Sequence, residues 1–276
     1  MTVNLRDIAP SIQPAAEALA TVPVIRAVNE IAWIFAVVET GHLLFLAILG
    51  GAVLGLNLRL MGMILPDMSS RDVERALRPW YVTGVVGTIG TGVAMAITMT
   101  RTLLPSGAFF IKMVALLAAI LLSHVVLRQV RTGRLAVREN AVLAFALLLW
   151  GGSLLLFAGT QGLNSGAMLI GLAGAGILAA ASQPQRRPAI IGLFAVAFGA
   201  WFFALDGIGQ DGAGSLASGW LGNSILAATV LPALGSGVRD IRSGADSADA
   251  SLKPLAFATT LAWVTVAAAG RWIGFS

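Results

Sequence analysis

Long apolar runs, interrupted at intervals by arginine, proline and aspartate, set the rhythm of this chain. A helix needs about 20 mostly apolar residues to cross the hydrocarbon core of a bilayer. Such runs fall at roughly 31–58, 80–99, 108–127, 141–159, 166–182, 189–206, 218–236 and 255–274. The fifth is short and rich in glycine. Turn-forming pairs (Pro66–Asp67, Pro105–Ser106, Gln183–Pro184 and Lys253–Pro254) all lie between runs. The pattern predicts an all-α fold, a polytopic transmembrane helix bundle of about eight spans.

The polar positions between the runs orient it. Arg59, Arg71, Arg75 and Arg78 follow the first run, and Arg128, Arg131, Arg134 and Arg138 follow the third. Arg186 and Arg187 follow the fifth; Arg239, Arg242 and Lys253 follow the seventh. These make thirteen of the 18 cations. The alternate connections hold only Arg6, Arg26, Arg101 and Arg271, with Lys112 inside a run. Cytoplasmic loops collect Lys and Arg, so both termini are expected on the non-cytoplasmic side of a bacterial inner membrane.

Two pieces outside the spans carry a helical pattern. Ile12, Ala16, Leu19, Ala20 and Val24 recur at helical spacing, which predicts an amphipathic surface segment within residues 1–30. That region lacks the basic start and continuous apolar core of a cleaved signal peptide. Ser69–Ser70 followed by Asp72 and Glu74 reads as a capped helix start, with a short cytoplasmic helix to about Arg78. The chain then divides into the surface segment 1–30, a first transmembrane half 31–140 and a second half 141–276.

Composition removes most other classes. Of 276 residues, 57% are hydrophobic and 11% charged. A soluble domain carries about 25% charged residues, so a soluble enzyme, a disordered chain and a coiled coil are excluded. The net charge of +5 belongs to loop arginines, and no nucleic acid is expected as a partner. The absence of cysteine excludes disulfides, thiolate metal sites and Fe–S clusters. The glycines at 84, 87, 90 and 92 lie in a span at small-residue spacing for helix contact, not in a phosphate loop.

Chemistry must then come from the few ionisable groups inside the spans, where each is costly unless paired or used. These are Glu39, His42, Lys112, His124, Asp206 and Arg271. Glu39 and His42, three apart, share a helix face. Both histidines of the chain lie in spans, and one physical use of such a pair is axial ligation of a b-type haem between helices. Counted along helices running the same way, their depths differ by about 7 Å, which permits joint ligation of haem iron. Arg59 or Arg128 would pair with propionates, and Lys112 with Glu39 would tune the site. Small residues beside His42 (Gly41, Gly50, Gly51 and Gly55) leave room for a macrocycle and equally suit tight helix packing. A histidine hydrogen-bonded across helices to Glu39 or a hydroxyl is the competing reading. Met61, Met63 and Met113 fit core packing better than ligation.

The run Trp33, Glu39, His42, Gly50–Gly51 and Asn57-Leu58-Arg59-Leu60-Met61-Gly62 resembles the DUF6644 group of bacterial membrane proteins, as do Phe109-Phe110-Ile111-Lys112-Met113 and Gly270-Arg271-Trp272-Ile273. Asn57 stands where that group has an acidic residue. More distantly, the group is similar to CopD-type and HemJ-type bundles, whose helices carry haem-associated His and Lys. Phe110 occupies the first position of their His-x-Lys motif here, so no oxidase activity is carried over. The resemblance implies a haem-associated membrane bundle.

Three functions remain in view. One is a redox subunit holding haem b and relaying electrons between an outer-face partner and quinone or another centre. Another is a non-catalytic anchor or accessory subunit bound to other membrane or periplasmic subunits. The third is a small-molecule transporter, for which Gly151–Gly152 and Pro232 are the pointers. All three share the lipid bilayer as partner.

Overall fold

A computed structural model describes residues 12–23, 25–26, 31–103, 106–133, 137–159 and 252–273, together with 170, 173, 174, 176, 177, 188 and 192. Every extended element in this set is an α-helix. In chain order they are α1 (Ile12–Ala20), α2 (Ala32–Leu60), α3 (Ser70–Thr98), α4 (Thr100–Leu103), α5 (Gly107–Thr132), α6 (Val137–Gly159) and α7 (Leu252–Trp272). Five of them, α2, α3, α5, α6 and α7, are long and apolar enough to cross a membrane. The chain is a multi-pass membrane protein. The fifth to seventh expected spans and Asp206 lie outside the described residues, the scattered positions above apart.

Local sequence explains where the helices start and stop. Ser69 caps α3, its Oγ accepting from the Asp72 amide at 3.1 Å, as the sequence pattern implies. Ser106 caps α5 in the same way, accepting from the Phe109 amide at 3.2 Å. At the end of α2, Gly62 adopts φ +77°, and the Met63 and Gly62 amides donate back to the carbonyls of Leu58 and Arg59. This paired closure needs a left-handed residue, and glycine supplies it without steric cost. Gly133, at φ +69°, ends α5.

One expected break is absent. The short helix foreseen to Arg78 and the span foreseen from Trp80 form a single helix of 29 residues that runs through Pro79. At 1.5 Å per residue it is about 43 Å long, against about 30 Å of hydrocarbon. Its first turns therefore extend beyond the apolar layer. There the carbonyl that Pro79 leaves without its donor can be solvated. Exposed Trp80 marks the level at which α3 enters the membrane.

The side-chain contacts set the helix directions. Asn57 of α2 reaches Thr260, Trp150 of α6 reaches Thr265, Ser123 of α5 meets Trp263, and Phe157 stacks edge-on against Trp272. So α2 and α5 run one way, and α3, α6 and α7 run the other. One end of the bundle, with Arg59, Arg71, Arg75, Arg128 and Arg131, is rich in arginine. The opposite end is poor in it, and there α1 packs against α4.

The core forms around α7. Twelve of its residues are buried, because alanines and threonines leave its surface narrow enough for neighbours to approach closely. Thr259, Thr260 and Thr265 return their hydroxyl protons to carbonyls one turn back, at 2.7–2.9 Å. Their oxygens remain free to accept, and α7 thereby bonds α2 through Thr260 and α6 through Thr265. Its Trp263 donates to Ser123 of α5 at 2.9 Å. Leu56, Leu122, Val126, Phe257 and Leu261 fill the space between, and Met61 packs there as a core residue. By contrast α3 lies at the periphery, packed mainly on α2. Gly84 makes that contact possible: a Cβ there would lie 2.7 Å from Leu49 Cα.

Candidate functional site

The α2–α3 contact carries the Glu39–His42 motif, in the half of the bundle nearer the arginine-poor end. His42 turns toward α3, with its Nδ1 2.9 Å from Thr91 Oγ1. The same hydroxyl lies 2.6 Å from the Gly87 carbonyl. A carbonyl only accepts and a threonine has a single proton to give. That proton goes to Gly87, so His42 donates from Nδ1–H to Thr91. The ring also bonds the Thr88 backbone carbonyl, which likewise only accepts; with its proton on Nδ1, neutral His42 has an unprotonated Nε2, the nitrogen form that ligates iron or accepts a hydrogen bond. Gly92 gives the ring clearance, since a Cβ there would sit 3.4 Å from His42 Cε1.

Two charges act on this imidazole, Lys112 from α5 and Glu39 from its own helix. Lys112 is partly buried and lies over Gly270, where an added Cβ would be 3.4 Å from Nζ. It has no hydrogen bond or ion pair among the described residues. Glu39 is exposed on α2. Beside His42, Thr88 is 8% exposed and its Oγ1 has no hydrogen-bond partner. Thr88 and Thr91 were not foreseen from sequence. They are ordinary apolar-span threonines until α3 is set against α2.

The other expected site residues lie elsewhere. His124 is on an exposed stripe of α5 with Phe110, Leu117 and Arg128, while His42 faces α3. Arg59 donates to the Met68 carbonyl at 2.7 Å, and Arg128 pairs with Glu139 at 3.2 Å. Both are at the arginine-rich end, opposite His42. Met113 is also exposed. Among the described residues, no group of three or more His, Asp or Glu converges as a metal site, so Glu39, His42 and His124 do not form one. The glycines divide: Gly41 lies 3.9 Å (as a Cβ) from Thr91 and Gly55 3.0 Å from Leu77, whereas Gly50 and Gly51 face open space.

The fold is that of a multi-pass α-helical membrane protein, with His42 held at the contact of two of its spanning helices. Within that class, a family model described as a family of unknown function, DUF6644, matches residues 30–158. The match runs from just before α2 to the last turn of α6, a little under half of the chain. The hub helix α7 falls outside the matched residues. No curated protein and no solved structure matches the chain.

Proposed function

We propose that this protein is a redox subunit of the bacterial inner membrane, holding a b-type haem through His42. The carrying observation is the fixed imidazole: Nδ1 is held by Thr91 and the ring also bonds the Thr88 backbone carbonyl, inside a membrane helix pair. Lys112, which has no counter-ion among the described residues, favours the same reading, because an intramembrane cation without one is costly unless it serves a bound anionic group. His42 would hold the group through its ring nitrogen, and Lys112 would pair with one of its carboxylates. Thr91 would hold the ring's orientation and tautomer. The bound group would supply one-electron transfer. Arg59 and Arg128 have protein partners already and are not needed here. His124, on the exposed stripe of α5, is the weaker ligand candidate.

The arginine-rich end is assigned to the cytoplasm by the positive-inside tendency, with both termini outside. In support, α6 ends at the arginine-poor end and α7 begins at the arginine-rich one. That agrees with the three spans read between them and with eight in all.

The test is a reduced-minus-oxidised absorption spectrum of purified protein from cells supplied with haem precursor. A b-type α-band is expected, lost in His42→Ala and retained in His124→Ala. No band in the wild-type protein, or one untouched by His42→Ala, removes the proposal and leaves the anchor reading.

A further inference from the structure

Most arginines described at the arginine-rich end are bonded within the protein: Arg59 to Met68, Arg71 to Val130, Arg128 to Glu139 and Arg131 to Glu74. Two on the outer side of α3 are exceptions. Arg78 is exposed and has no ion pair among the described residues. Arg75 meets Asp72 at 3.5 Å, but the two side chains are 81% and 57% exposed, and so open a pair holds weakly. Glu74, one turn before Arg78, is taken by Arg131.

Their place along α3 decides what these guanidinium groups can meet. Positions 75, 78, 82, 86, 89 and 93 follow one another at steps of three and four, so they share a face of the helix. Beyond the two arginines that face is Val82, Val86, Ile89 and Val93, all exposed. The change from charge to apolar side chains falls at Trp80, the level at which α3 enters the membrane. At 1.5 Å per residue, Arg78 lies about 3 Å and Arg75 about 7 Å outside that level. The polar layer of one leaflet is about 5–7 Å thick, so both arginines sit among the head groups. Guanidinium forks bind phosphate oxygens two at a time. A zwitterionic head group brings its own cation, which the arginines repel, whereas an anionic one does not. Cations at the depth of the phosphates, above exposed aliphatic side chains at the depth of the acyl chains, match the two parts of an anionic phospholipid.

We infer that this face of α3 binds an anionic phospholipid, its phosphate at Arg75 and Arg78 and an acyl chain along Val82 to Val93. The site requires only that α3 spans the membrane, and it stands whether or not His42 holds haem.

Native mass spectrometry of the full chain in mild detergent tests the site, with phosphatidylglycerol and phosphatidylcholine of the same acyl chains added in equal amounts. Bound phosphatidylglycerol is expected, favoured about tenfold over phosphatidylcholine. Arg75→Gln with Arg78→Gln should reduce that preference to about twofold or less. Arg134→Gln with Arg138→Gln, which removes the same charge at the α5–α6 connection, should leave it intact. An equal loss in both double variants would mean attraction to net charge alone and would overturn the inference. Displacement of the lipid by millimolar glycerol phosphate would do the same, because it would mark a site for a free ion that needs no acyl chain. So would pairs of chains that carry no bound lipid and come apart in the Arg75→Gln Arg78→Gln protein, since the face would then serve a second copy.

Discussion

The two ends of the bundle treat charge in opposite ways. At the arginine-rich end, cations are tied into the fold. Arg131 donates from Nε and Nη2 to Glu74, the former at 2.8 Å, and Arg71 donates to the Val130 carbonyl at 3.2 Å, so two contacts fasten the start of α3 to the end of α5. Arg59 closes the α2–α3 connection and Arg128 fastens α6. In the half nearer the other end, His42 is held by Thr91 and Lys112 has no hydrogen bond or ion pair among the described residues. Charge that is consumed by the fold contributes stability. Charge left unspent inside a membrane costs stability and is retained for something else. The contrast predicts that removing charge at one end damages folding, and at the other damages only function.

The largest effect should come from Glu74→Ala. It leaves Arg131 without its acceptor where α3 meets α5; Glu74 is buried but Arg131 is 34% exposed, so the loss should cost about 2 kcal/mol, below the range for a fully buried pair. Removing both charges together, as Glu74→Leu with Arg131→Leu, should recover more than half of that loss. Reversible unfolding in mixed micelles measures both. A Glu74→Ala protein as stable as wild type would break the comparison. Next comes Gly84→Ala, whose methyl would meet the Leu49 backbone at 2.7 Å. Backbone on both sides cannot yield cheaply, and overpacking of this kind costs about 2 kcal/mol. The same substitution at Gly90, which has nothing within 4 Å, should cost almost nothing.

How much of this was legible in the sequence depends on the range of the interaction. Spans 1, 3, 4 and 8 stood out because an apolar run is a local property. The Ser69 cap was legible for the same reason, since its partner is three residues away. Pro79 misled because a proline ordinarily ends a helix, and nothing local says that α3 overshoots the bilayer and can solvate the freed carbonyl. The Glu74–Arg131 pair and the Asn57–Thr260 bond join residues far apart in the chain, so no periodicity announces them. Likewise the reading of His42 as hydrogen-bonded across helices to a hydroxyl holds, but only the packing of α3 on α2 shows the hydroxyl to be that of Thr91, and Glu39, three residues from His42, is exposed. The grouping of His42 with His124 rested on depth alone. Depth says nothing about which way a side chain points around its helix, and α5 turns His124 to its exposed side.

Lys112→Met probes the unspent charge directly. It removes an ammonium that has no partner among the described residues and keeps the length and flexibility of the side chain. Stability should rise by about 1 kcal/mol, a fraction of the cost of lysine at mid-bilayer because Lys112 sits in the second turn of its helix. A loss of stability instead would show that Lys112 is a structural residue and that the two ends do not differ in kind.

His42→Ala should have the smallest effect on folding and the clearest effect on function. The substitution removes a donor from Thr91, but the Thr91 hydroxyl keeps the Gly87 carbonyl as its acceptor at 2.6 Å. No new orphan donor is created. The cost should therefore stay under about 1 kcal/mol, while the b-type absorption band disappears. Thr91→Val sharpens the point, because it leaves the imidazole present but releases its Nδ1–H. The band should then persist with a shifted reduction potential, since the hydrogen bond that tunes the ligand is gone. Potentiometric titration of the two variants separates a ligand from a packing residue: a purely structural His42 would move stability in both variants and a potential in neither.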